Sequence, residues 1–99
     1  MAIIDGLNKI FESKIRLGIM SVLVANGSAD FATLKSLLEL TDGNLASHTR
    51  SLEEAGYLTC EKKFVGRKPN TTYKVTEKGR EAFAEHIDAM ERFLKECRS

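Results

Sequence analysis

The chain has 99 residues, of which 42% are apolar and 29% charged, and a net charge of only +1. That balance fits one soluble globular domain, excludes a uniformly basic nucleic-acid coat and leaves little room for a second domain. No apolar run is long enough to span a bilayer, so no membrane partner is expected. Met1-Ala2-Ile3-Ile4-Asp5 lacks the basic-then-apolar pattern of a signal peptide, so a cytoplasmic location follows by default. Cys60 and Cys97 lie far apart and share no spaced motif, which predicts reduced thiols.

In chain order, Ile3, Ile4, Leu7, Ile10 and Phe11 recur at helical spacing and predict a first helix over residues 3–11. Ser13 is the expected N-cap of a second helix, with Ile15, Ile19, Val22 and Leu23 on its apolar face. Asn26-Gly27-Ser28 stops it. Asp30 caps a third helix with Phe31, Leu34, Leu37 and Leu38 inward, ending near Leu40. Thr41 caps a fourth, which buries Leu45, Thr49, Leu52 and Ala55 and is closed by Gly56. The helical core thus covers residues 13–56.

The period then changes. Residues 57–64 alternate loosely, Gly66-Arg67-Lys68-Pro69-Asn70 reads as a turn, and Thr71-Thr72-Tyr73-Lys74-Val75 as the return strand. Residues 57–75 are therefore a β-hairpin. Thr76 caps a last helix over residues 76–97, with Phe83, Ile87, Met90, Phe93 and Leu94 as its main apolar positions. The whole of residues 1–99 reads as one domain.

Two helices joined by Leu40-Thr41-Asp42-Gly43 suit a helix-turn-helix, and a hairpin directly after them suits a wing. At these residues the sequence resembles winged-helix regulators of the MarR/ArsR type, and closely the short stand-alone winged-helix DNA-binding domains among them. The resemblance rests on Ile15-Arg16-Leu17-Gly18-Ile19-Met20, on Phe31-Ala32-Thr33-Leu34 and on the run from Leu45 to Leu58. It continues through Gly66-Arg67-Lys68-Pro69-Asn70-Thr71-Thr72-Tyr73 and Val75-Thr76-Glu77-Lys78-Gly79-Arg80. It implies a mainly α (α+β) fold: a winged helix-turn-helix with a two-stranded β-hairpin wing and a C-terminal dimerisation helix.

Charge agrees with this reading. From His48 to Arg80, eight basic residues face four acidic ones, so the remainder of the chain is net negative. A duplex attracts such a basic patch, and binding releases counterions. Asn44, Ser47, His48 and Ser51 carry hydrogen-bonding groups on the open face of the fourth helix, with Arg50 at its flank. Lys62, Lys63 and Lys74 would touch the DNA backbone from the hairpin stem. By the resemblance, Arg67 and Lys68 would lie against the minor groove, where the potential is most negative. A charged hairpin can also be a solvated edge. The competing reading is therefore a winged-helix module that binds a protein partner without specific DNA binding.

The stripe Phe83, Ile87, Met90 and Leu94, with Ile3, Ile4, Leu7 and Phe11 of the first helix, would be partly bare in a monomer and predicts a homodimer interface. The chain would then act as a transcriptional regulator, in the expected case a repressor, on a pseudo-palindromic operator in double-stranded DNA. An unidentified small-molecule effector would act through a cleft between the dimer helices and the recognition helices. The sequence contains no phosphate loop, nucleophile elbow or metal-ligand motif, so no enzyme, cofactor or metal is expected. His86 beside Glu85 is a candidate metal ligand. However, the paired cysteines of the metal-sensing relatives are absent from the third helix.

Overall fold

The computed structural model describes residues 6–98. Local capping sets most element boundaries. The Asn8 side chain accepts from the Ile10 N–H at 2.9 Å and starts a 3₁₀ turn, Lys9–Glu12. The Ser13 hydroxyl accepts from the Arg16 N–H and opens α1, Lys14–Asn26. A short strand, β1, Ser28–Asp30, follows. The Asp30 carboxylate accepts from the Thr33 N–H at 2.8 Å and opens α2, Phe31–Leu38. The Thr33 hydroxyl, with that N–H adding to it, holds the carboxyl below the ordinary Asp range. The Thr41 hydroxyl opens α3, Asp42–Glu54, by accepting from the Asn44 N–H. The hairpin strands are β2, Leu58–Val65, and β3, Lys68–Val75. The last helix, α4, is Glu77–Arg98. The Thr76 hydroxyl accepts from the Gly79 N–H at 2.9 Å and donates to the Gly56 carbonyl at 2.6 Å, tying the start of α4 to the end of α3.

One apolar core lies beneath α3 and the sheet. It is built from Phe11, Ile19, Met20, Leu23, Leu34, Leu45, Leu52, Tyr57, Leu58 and Tyr73. Phe11 is its aromatic hinge, with Tyr57, Phe83 and His86 rings 5.5, 5.9 and 5.2 Å away. Burying these side chains removes roughly 1.5–3 kcal/mol of exposure cost apiece. The core thus sets the helix-turn-helix against the sheet.

The winged helix-turn-helix expected from the sequence is the fold observed, with five corrections. First, the helix expected over residues 3–11 is, among the described residues, only the turn Lys9–Glu12; Gly6, at φ 92, is already non-helical. Ile3 and Ile4 lie outside the described residues. Second, Phe11, expected to be bare for a partner, is 3% exposed and belongs to the monomer core. Third, the sheet has three antiparallel strands, not two, in the order β1-β3-β2. Ser28-Ala29-Asp30 has no β-branched or aromatic residue to mark a strand. Pairing with β3 alone makes it one, with Ala29 opposite Tyr73. Fourth, the hairpin turn is only Gly66-Arg67, because Lys68, Pro69 and Asn70 already belong to β3. Gly66 has φ 67 at the first loop position, as a two-residue type II′ connection requires. Fifth, Leu37, expected on the inner face of its helix, is 62% exposed; Leu34 and Leu38 fill that side of α2.

Candidate nucleic-acid interface

The α3 helix has two distinct sides. Leu45, Thr49 and Leu52 are buried. Thr49 is tolerated there because its hydroxyl donates to the Leu45 and Ala46 carbonyls of its own helix, at 2.9 and 3.1 Å. The outer side presents Asn44, Ala46, Ser47 and Arg50 to solvent, with His48 and Ser51 half-buried. The Ser51 hydroxyl donates to the Ser47 carbonyl at 3.3 Å. Asp42, in the first turn of α3, would repel a phosphate at the helix N-terminus. Its carboxylate lies 2.7 Å from the Lys35 ammonium, which offsets that charge.

His48 is held in place by a residue that the sequence reading did not include in the site. The Arg16 guanidinium lies 3.2 Å from His48 Nδ1, while its Nε donates to the Ile10 carbonyl at 2.6 Å. Guanidinium has donors only, so Nδ1 must accept and the ring proton sits on Nε2. Burial, with the Arg16 charge adding to it, lowers the His48 pKa, so the ring is neutral at pH 7. The signal for Arg16 was a lone cation inside an apolar helical run. Its partner, 32 positions away, is supplied only by the packing of α1 on α3.

The wing stands beside this face. Directly paired residues of a sheet share a side, so the register puts Cys60, Lys62 and Phe64 together with Pro69, Thr71 and Tyr73. Lys63 and Lys74 fall on the opposite side, as does Lys68, paired with Val65. The stem lysines expected to act together are thus divided between the two faces, while Arg67 occupies the turn. All of Lys62, Lys63, Arg67, Lys68 and Lys74 are exposed. Between α3 and the wing lies an open cleft of about 440 Å³ lined by Ala46, Thr49, Arg50, Glu53, Cys60, Lys62 and Tyr73. Burial raises the Cys60 and Tyr73 pKa values, and nearby Glu53 adds to both, so thiol and phenol stay protonated.

Residues 15–94, which hold both the polar face of α3 and the cationic hairpin, match a family described as "winged helix DNA-binding domain". The chain belongs to this winged-helix family. An uncharacterized protein of Methanocaldococcus jannaschii is 40% identical to it over 79 residues, covering 80% of this chain and 86% of that one. The structure of a transcriptional regulator homologue from Pyrococcus horikoshii is 31% identical and superposes with a TM-score of 0.77, covering 90% of this chain and 93% of that one. MarR superposes with a TM-score of 0.72 at 19% identity, over 85% of this chain and 61% of its own, and so shares the fold. The structural neighbours of this winged-helix protein thus include MarR and a chain described as a transcriptional regulator homologue.

On the winged-helix frame, the predicted residues fall into three groups. Asn44, Ser47, Arg50, Lys62, Lys63, Arg67, Lys68 and Lys74 lie open on α3 and the wing. His48 and Ser51 are half-buried, with hydrogen bonds to the protein's own atoms. Of the interface set, Met90 and Leu94 are 36% and 47% exposed, whereas Leu7, Phe83 and Ile87 are half-buried. Among the described residues, no three His, Cys, Asp or Glu side chains come together as a metal site, and both cysteines are free. No helix of the described residues is long and apolar enough to cross a membrane.

Proposed function

We propose that this winged-helix protein is a cytoplasmic transcriptional regulator that binds a pseudo-palindromic operator in double-stranded DNA as a homodimer and acts as a repressor by occluding the promoter. The observation that carries the reading is the exposed polar face of α3 standing beside the cationic wing. In this reading α3 enters a major groove. Asn44, Ser47, His48, Arg50 and Ser51 then face base edges or phosphates. With Nδ1 committed to Arg16, His48 offers a neutral Nε2–H donor, suited to acceptors such as guanine N7 or O6. Lys62, Lys63, Arg67, Lys68 and Lys74 supply phosphate and minor-groove contacts.

The dimer reading is supported by α4. A compact chain of this length has a radius of gyration of about 13 Å; this one has 15.0 Å and is 57 Å long. Beyond Ala89 every α4 residue to Arg98 is exposed except half-buried Phe93. Two such helices packed across a two-fold axis would set the α3 helices roughly 34 Å apart, one duplex turn. An effector wedged between α4 and α3 would change that spacing.

Selection of bound duplexes from a random pool tests the assignment. Enrichment of a palindromic motif is the expected result; no enrichment overturns it. Arg67→Ala and Lys68→Ala should each weaken binding to all duplexes and lower the slope of log affinity against log salt by about one. Unchanged binding in both variants would remove the wing from the interface.

A further inference from the structure

The wing tip carries apolar side chains that none of the described residues covers. Phe64 is 73% exposed and its neighbour Val65 is 62% exposed, at the end of β2. Scattered exposed apolar residues are ordinary on protein surfaces. This pair is placed differently. Phe64 sits directly opposite Pro69, which makes an aromatic–proline pair at the end of the ribbon. Pro69 lies beyond the stretch that β1 covers, Thr72 to Lys74, where the outer edge of β3 is open and a residue without an N–H is tolerated. Cations surround the pair: Lys62 and Lys63 behind, Arg67 and Lys68 in front. Over residues 58–75 Glu61 is the one acidic residue against five basic ones. By strand alternation Phe64 shares its sheet side with Lys62, Cys60 and Tyr73, the side that forms a cleft with α3.

We infer that Phe64, backed by Pro69, is a minor-groove wedge. Its ring presses between base pairs at the flank of the site while Arg67 and Lys68 hold the phosphates on either side. The inference rests on the DNA-binding reading above and adds a specificity determinant to it. A ring has no hydrogen bonds to offer, so it cannot read base edges. It reads deformability instead, favouring TA and CA/TG steps that unstack readily over stiff A-tracts. Cations ringing an apolar tip would also suit an anionic lipid surface. The placement of Phe64 on the α3 side favours the duplex, because engagement of α3 brings that side of the wing to the DNA.

The test uses the full chain and duplexes that the wild-type protein enriches from a random pool, with 2-aminopurine placed in turn at each flanking step. Binding of wild type should raise the 2-aminopurine fluorescence at one flanking step, as unstacking does. Phe64→Ala should abolish that rise and weaken binding about tenfold, the scale of one aromatic side chain's burial. It should also lose the TA and CA/TG preference in the flank while keeping the inner motif. The salt slope should stay unchanged, in contrast to Arg67→Ala, because no charge is removed. Phe64→Leu should retain part of the effect. Phe64 is exposed, so an unchanged melting temperature verifies that the variant folds. A Phe64→Ala protein with unaltered affinity, flank preference and fluorescence on bound duplexes overturns the wedge and leaves the DNA-binding reading standing. Failure of wild type to enrich any duplex overturns both. Binding to phosphatidylserine vesicles that depends on Phe64, with duplex binding independent of it, overturns the wedge in favour of a lipid surface.

Discussion

His86 shows how one buried side chain ties three parts of the chain together. It is 5% exposed, and its Nδ1 accepts from the Asn8 backbone N–H at 2.9 Å. The Asn8 side chain in turn donates to the Tyr57 hydroxyl at 2.8 Å. Burial pushes the His86 pKa down from its ordinary 6.5, so the folded state resists the proton that the unfolded chain accepts. Stability is therefore complete above about pH 6.5 and falls as pH drops below it, because the unfolded state then binds more protons. His48, lowered by burial and Arg16, acts with the same sign. Denaturant melts between pH 7.5 and 5 should show this loss. His86→Asn, which keeps an acceptor and removes the titration, should flatten the profile. His86→Phe strands the Asn8 N–H and should cost about 1–3 kcal/mol at pH 7. A wild-type stability that does not change across this range would disprove the account.

Among the elements, the join between the wing and α4 leaves no room for a side chain at Gly79. Gly79 lies in the first turn of α4, and a Cβ built there would overlap the Tyr57 carbonyl, with Tyr57 Cα at 3.0 Å. That carbonyl accepts from the Thr76 N–H at 3.0 Å, so it cannot move without breaking the link between α3, the wing and α4. Two effects of Gly79→Ala oppose one another. Helix propensity favours alanine by about 1 kcal/mol. Overpacking against rigid backbone costs about 1–3 kcal/mol or more, and it wins here. The variant should melt several degrees lower, since ~1 kcal/mol shifts Tm by roughly 4–8 °C in a domain of this size. An unchanged or higher Tm would mean that the helix start adapts. Thr76 belongs to the same joint, which explains why a cap legible in the sequence also serves as a tertiary contact.

At the scale of the whole molecule, the free length of α4 decides what the monomer leaves uncovered. Phe83, Ile87, Met90 and Leu94 repeat at spacings of four, three and four, which lines one side of the helix. Phe83 packs partly on the core and Ile87 is half-buried, whereas Met90 and Leu94 are more open. The proposed dimer therefore places its main contacts at the far end of α4. Met90→Lys with Leu94→Asp should convert a dimer into a monomer in sedimentation equilibrium, without lowering the monomer's own stability. Duplex affinity should fall, because one α3 helix then binds alone. Wild type that sediments as a monomer at micromolar concentration would refute the dimer.

The caps at Ser13, Asp30, Thr41 and Thr76, the polar face of α3 and the two wing strands are legible in the order of the residues. Each of these depends on side chains a few positions apart, through a local hydrogen bond or the periods of 3.6 and 2. Tertiary structure alone decided the rest. β1 exists because β3 offers it a ladder, and Phe11 is core because Tyr57, Phe83 and His86 close around it. His48 has a fixed tautomer because α1 brings Arg16 to it. These outcomes are contacts between residues distant in the chain, and a local pattern carries no information about a partner that only packing supplies.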